Sequence, residues 1–329
     1  MAFRQRILRG LGRVACLCGL ACTSGTGFAQ QCLAANDNPL APVRKLFVIA
    51  GQSNAVGLAS VKDITQGPNN YVQEDTVFPN VKIYGIFNAE PDIAGKDDAI
   101  QSRTVSWSRF ATWQTARPGF GYKNVANVPQ YFPPGSGAQD MFGPELYLAR
   151  YLNDRSPKDH YIVKLAISNT SLSPVADADN WSPDSRLYQE LMKMIADAHN
   201  SRRADVNLRV AGIFFMQGET DAMHEISARN YEKNVKEFIR RFRKDIHVMN
   251  CAGTKDVPVV LGRIQKNSAW AHAKAVRSGQ QNAARELPGV SLVNTDDFSR
   301  WLDTSGLHFN EYGQAHLGKR VYQAFFPPR

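Results

Sequence analysis

KLFVIAGQSNAVG, residues 45–57, is a short apolar run that stops at Gly51 and is followed at once by Gln52, Ser53 and Asn54. A helix built from such residues would show its apolar positions at a period of 3.6. Here they are contiguous, through Val48, Ile49 and Ala50, which reads as a buried parallel strand. Open α/β sheets bind their ligands beyond the carboxyl ends of the strands. Ser53 therefore stands where a nucleophile would be displayed.

Further apolar runs recur downstream. Strands are expected at Leu46–Ala50, Val81–Tyr84, Tyr161–Ile167, Arg209–Met216, Val257–Leu261 and Val290–Val293, several of them rich in β-branched residues. Helices are expected at Pro144–Asn153, Arg186–Ser201, Ala228–Lys244, Ala269–Arg285 and Tyr312–Phe325; in the third, Tyr231, Val235, Phe238 and Phe242 form an apolar stripe. Alternation of strand and helix predicts an α/β fold with a doubly wound, mostly parallel sheet. The stretch from Ala89 to Asp140 has no clear period but carries Trp107, Phe110, Trp113, Phe120, Tyr122, Tyr131 and Phe132. It is too long for an ordinary connection. A wall that stacks sugar rings and a hydrophobic cluster beneath an insertion are the two readings of those aromatics.

Two more segments follow the first in order: AGIFFMQGETDA (211–222) and LHFNEYGQAHLGKR (307–320). Weaker matches are FGPELYLAR (142–150) and IVKLAISNTSL (162–172). Through GQSN-x-x-G, QGE-x-D and HFN-x-x-G the chain resembles the SGNH-hydrolase superfamily, and within it the sialate O-acetylesterase and carbohydrate esterase family 6 group. The resemblance spans about Lys45 to Phe326. It implies a flavodoxin-like three-layer sandwich in a single domain, with the aromatic-rich stretch as an insertion, and a serine esterase that removes O-acetyl groups from a carbohydrate.

Such chemistry needs an activated hydroxyl, a base, a group that orients the base, and donors for the oxyanion. The resemblance assigns the hydroxyl to Ser53 and the base to His308. The orienting acid is where the chain departs from the superfamily, whose Asp-x-x-His spacing would place it at position 305, here a serine. Glu219 of the QGE string is the favoured substitute, as in some carbohydrate esterases of this kind, and Asp303 is the alternative. Oxyanion donors are expected from the Ser53 N–H, from Gly143 before a helix-starting proline, and from the Gln217 amide. Gln52 and Asn54 are expected to brace the turn, Asp221 to support it, and Arg263 and Gln265 to face the same edge. Two other readings stay open: a periplasmic polysaccharide O-acetyltransferase with the same serine chemistry, and a carbohydrate-binding protein whose catalytic acid has decayed.

Arg4, Arg6, Arg9 and Arg13 precede the apolar VACLCGLAC and the small-residue site Gly27-Phe28-Ala29, the order of a secretory signal peptide. Cleavage after Ala29 is expected, giving a leader (1–29), an N-terminal tether (30–44) and an esterase domain (45–329), in a secreted or periplasmic protein. A lipoprotein anchored at Cys22 is the lesser alternative, and the apolar stretch is too short for a stable membrane span. Losing four arginines and no acids lowers the formal charge from +9 to about +5. No basic block or nucleic-acid motif accompanies that excess. Cys32 and Cys251 would be the two cysteines left, and whether they pair is open on the sequence. His224, His247, His272 and His316 lack zinc-site spacing, and the chemistry calls for no metal or cofactor. The oligomeric state and the glycan are not encoded legibly.

Overall fold

The computed structural model describes residues 32–66, 72–85, 111–122, 141–176, 179–251, 253 and 255–328. The expected leader lies outside them, as do Trp107, Phe110, Tyr131 and Phe132.

Seven strands form the central sheet: β1 (Val43–Gly51), β3 (Phe78–Gly85), β4 (Thr112–Ala116), β6 (His160–Ala166), β7 (Asn207–Met216), β8 (Val259–Gly262) and β9 (Val290–Val293). Their order is β4-β3-β6-β1-β7-β8-β9. Every neighbouring pair is parallel except β3 with β4. Two short strands, β2 (Ala59–Ser60) and β5 (Met141–Phe142), pair apart from it. The helices are α1 (Ser53–Val56), α2 (Pro144–Arg155), α3 (Arg186–Asn200), α4 (Glu219–Met223), α5 (Glu225–Met249), α6 (Ala273–Glu286) and α7 (Glu311–Phe325).

Side chains of β1 alternate between two cores, which is why its sequence is apolar from Leu46 to Ala50. Leu46, Val48 and Ala50 join one cluster with Leu187, Leu191 and Ile195 of α3, Phe238 and Phe242 of α5, and Val276 of α6. Phe47 and Ile49 join the opposite cluster with Leu146 and Leu152 of α2 and Leu317 and Val321 of α7. The result is a three-layer α/β sandwich with β1 at its centre, so whatever follows Gly51 emerges between the loops of β6 and β7.

Two features differ from the sequence reading, and one of its open alternatives is decided. Residues 112–116 form an antiparallel edge strand that the aperiodic stretch concealed. Trp113 packs on Tyr84 and Tyr161 at ring distances of 5.1 and 5.4 Å and donates its indole N–H to the Ala198 carbonyl at 3.1 Å. Phe120 and Tyr122 are buried as well. The described aromatics of this region therefore stabilise the core; none forms a sugar-stacking wall.

Nor is the segment before β1 a loose tether. Leu33 is buried, and Asp37 takes ion pairs from Arg202 and Arg209 and a 3.2 Å contact from His199. Cys32 is disulfide-bonded to Cys251, just past the end of α5, with Cα atoms 4.9 Å apart. A cross-link that closes a loop of this size restricts the unfolded chain strongly. Cys32→Ser with Cys251→Ser is expected to lower unfolding stability by about 2–5 kcal/mol, measured by chemical denaturation, with the wild type falling to the same level under reductant.

Candidate active site

The turn that bears Ser53 is forced by backbone crowding. Gly51 has φ 134°, and a Cβ there would lie 1.9 Å from the Met216 carbonyl oxygen, so only glycine lets the strand leave the sheet here. Gln52 N–H then donates to Met216 O at 2.9 Å, and Ile167 N–H donates to Gly51 O at 2.9 Å. These two bonds seat Ser53 between the ends of β6 and β7. Ser53 opens α1, whose first N–H groups have no acceptor within the helix.

Asn54 is the hub that joins the three motifs. Its Oδ1 accepts the Phe309 N–H at 2.9 Å, its Nδ2 donates to Glu219 Oε1 at 3.2 Å, and its carbonyl accepts from Gln314 Nε2 at 3.3 Å. Ser53 and His308 are the chain neighbours of the two residues in the shortest of these bonds, so the two segments that carry them are held together. Ser53 Oγ bonds no described residue, His308 included; catalytic hydrogen bonds of this kind commonly tighten only around substrate.

His308 sits on a closed hairpin. Leu302 pairs antiparallel with Phe309, Asp303 N–H donates to His308 O at 2.8 Å, and Gly306 N–H donates to Asp303 O at 2.9 Å. This folding brings positions 303 and 308 side by side. Asp303 Oδ2 lies 3.3 Å from His308 Nδ1, while Oδ1 accepts from Ser305 Oγ and from the His308 N–H. Burial raises the Asp303 pKa, but the hydrogen bonds from His308 and Ser305 outweigh it and hold the carboxyl at about 2. The sequence reading favoured Glu219 as partner of His308, whereas the imidazole bond goes to Asp303. Glu219 is wholly buried and bonds Asn54. Burial pushes its pKa above the ordinary carboxylate range, against the pull of its own backbone N–H, Asn54 and His308.

Two expected oxyanion donors are already engaged. Gly143 N–H donates to Glu145 Oε1 at 2.7 Å, and the glycine is there for close packing, since a Cβ would sit 2.9 Å from Gly57 Cα. Both hydrogens of the Gln217 amide are used, on Thr170 O at 3.0 Å and Asp221 Oδ2 at 2.5 Å. Free donors lie elsewhere. The N–H groups of Ser53, Ser168, Asn169 and Thr170 have no acceptor among the described residues, and Asn169 turns the β6 loop beside Ser53 with φ 56°. Asp221 holds that loop, accepting from Leu172 and Ser173 N–H at 2.8 and 3.2 Å. Gln52 Oε1 accepts from Gly218 and Thr220 N–H at 3.4 Å. Gln265 bonds the Thr295 carbonyl and is buried.

Residues 43–327 match the family described as carbohydrate esterase, sialic acid-specific acetylesterase. The chain belongs to this family. A probable carbohydrate esterase of Arabidopsis thaliana is 21% identical over 285 residues, 86% of this chain and 91% of the relative. A solved Arabidopsis thaliana structure superposes with TM-score 0.57 at 19% identity, over 86% of this chain and 98% of its own. NanS superposes with TM-score 0.59 at 18% identity, over 87% and 97%. These structural likenesses show a common fold, and family membership makes the protein a carboxylic ester hydrolase of the carbohydrate acetylesterase kind.

This carbohydrate esterase also carries a buried ion pair that sequence reasoning passed over. Lys164, alone among apolar residues in β6, donates to Glu145 Oε2, Val56 O and Phe120 O at 2.6, 2.7 and 2.8 Å. All three ammonium hydrogens are used, one of them on the last carbonyl of α1. A charge in the middle of a doubly covered strand was the available signal, because such a charge must be paired.

Asn54→Ala leaves Phe309 N–H and Glu219 unpaired and is expected to cost about 2–4 kcal/mol of stability, read by denaturant unfolding, together with most esterase activity. The Asp303 carboxyl is held below its ordinary value of 3.8, so its contribution is complete above about pH 4 and is lost as pH falls through about 2. In Asp303→Asn the acid limb of the stability curve should flatten across that window, measured by thermal melts from pH 5 to about 2.

Proposed function

We propose that this esterase is an exported serine enzyme that releases acetate from O-acetylated sugars through an acetyl-serine intermediate. The observation that supports the reading is the Asn54–Phe309 bond, which joins the segment of Ser53 to that of the Asp303-paired His308. His308 takes the Ser53 proton as Oγ attacks the ester carbonyl. The sugar oxygen leaves with that proton, and water, deprotonated by His308, then releases acetate and restores Ser53. Asp303 holds the imidazole tautomer and balances its charge. The oxyanion is held by Ser53 N–H with the free N–H groups of the Ser168–Thr170 turn. Glu219 acts on Asn54 and so positions the base at one remove.

Sialate and acetylated polysaccharide are the substrate classes the family and the sequence motifs favour. Export is supported by the leader-like N-terminal sequence and by the disulfide between Cys32 and Cys251, a bond that persists in oxidising compartments.

Ser53→Ala should abolish p-nitrophenyl acetate hydrolysis with an unchanged melting curve; retained turnover would refute the serine mechanism. Asp303→Asn should lower kcat by about 10²–10⁴-fold. Glu219→Gln keeps an acceptor for Asn54 and should retain most activity. A larger loss in Glu219→Gln than in Asp303→Asn would return the orienting role to Glu219.

A further inference from the structure

Beside the catalytic hairpin, on the same carboxyl edge of the sheet, an open pocket of about 410 Å³ is lined by Arg263, Lys266, Lys274, Arg277 and Ser278. Arg263 and Lys266 belong to the loop after β8, and the other three to the first two turns of α6. Asn267 of that loop donates to the Gly306 carbonyl at 2.8 Å, which fastens the pocket wall to the hairpin bearing His308.

Its charges are unbalanced. Asp296 is the acid paired there, bonding Arg277 and, at 3.3 Å, Arg263. Lys266 and Lys274 are exposed and have no ionic partner among the described residues, and the buried Arg263 Nε has no hydrogen-bond acceptor. Four cations thus face one carboxylate. Asp297 does not relieve the excess, since Arg320 claims both of its oxygens. Arg277 is buried and fixed by Asp296 and the Ile264 carbonyl, so a guanidinium without rotamer freedom lies beside two exposed ammonium groups. One buried guanidinium and two exposed ammonium groups spread around one cavity suit carboxylates on successive sugars better than a single small anion.

We propose that this pocket is an anion subsite that binds a polyuronate segment of the glycan, holding carboxylates of sugars that flank the acetylated one. Only the placement of the acetyl group rests on the esterase reading; charge capture does not. Lys266 and Lys274 supply the contacts, and Ser278 adds a hydroxyl donor.

The test uses the full chain and the double variant Lys266→Ala with Lys274→Ala, which touches nothing in the catalytic machinery. Binding of deacetylated oligogalacturonate is measured by calorimetry in about 50 mM and about 500 mM NaCl. The wild type should bind at low salt, lose affinity at high salt, and lose about tenfold in the variant. For acetylated oligogalacturonate KM should rise about tenfold in the variant with kcat unchanged, while turnover of acetylated xylo-oligosaccharide and p-nitrophenyl acetate stays at wild-type values. Equal oligogalacturonate affinity in variant and wild type, or equal effects on acidic and neutral substrates, would overturn the proposal. So would binding of inorganic sulfate without oligogalacturonate. Salt-sensitive oligogalacturonate binding with no acetate released from any substrate would remove the esterase reading and leave the subsite standing.

Discussion

One asparagine, Asn54, holds the candidate site together. Its side chain meets a backbone N–H from the C-terminal hairpin and a buried glutamate at the start of α4, and its main-chain carbonyl meets a glutamine from α7, all within 3.3 Å. An amide suits the position because it offers a donor on one side and an acceptor on the other. Aspartate would set a second carboxylate against Glu219, and an apolar residue would leave the Phe309 N–H and Glu219 without their partner. The residue after Ser53 thus does as much to define the site as Ser53 itself, by converting sequence separations of 165 and 255 residues into contact.

Below that junction the protein commits a full charge. Lys164 reaches from β6 into the gap between α1, the Phe120 segment and α2, and its ammonium is saturated by two carbonyls and Glu145. Burial pulls the lysine pKa down and Glu145 pulls it back up, with burial prevailing. Such a pair adds little net stability, but losing either partner leaves an isolated buried charge. Its effect is geometric: it fixes the carbonyl end of the helix that Ser53 begins, so the serine is held from behind as well as from above.

Much of this was legible in the chain. The contiguous apolar run of β1 announced a strand covered on both faces, and the packing of Phe47 and Ile49 against one core and Leu46, Val48 and Ala50 against the other is the physical content of that pattern. All six expected strands and all five expected helices occur, with ends shifted by a few residues. What escaped was set by tertiary context. Thr112–Ala116 has a single pairing neighbour and half-exposed side chains, so it has no apolar signature. The pairing of Asp303 with His308 depends on a hairpin closed by backbone bonds, and spacing alone misdirects there, because a superfamily pattern of three residues is replaced by one of five. Gly143 and Gln217 looked like donors because their positions are right; the structure shows their hydrogens already used. Cysteine count left the pairing of Cys32 undecided, for only the ordered 3₁₀ turn at Leu33–Asn36 and the burial of Leu33 bring it against the end of α5.

That cross-link has a consequence for how the chain is made. During synthesis Cys32 appears 219 residues ahead of Cys251, before β7, β8 or α5 exists to receive it. Until then its nearest thiols are Cys16, Cys18 and Cys22, and short loops close more readily than long ones. Were the first 29 residues removed, as the sequence reading expects, every competing thiol would go with them, and oxidation of Cys32 would have one intramolecular outcome, the bond to Cys251.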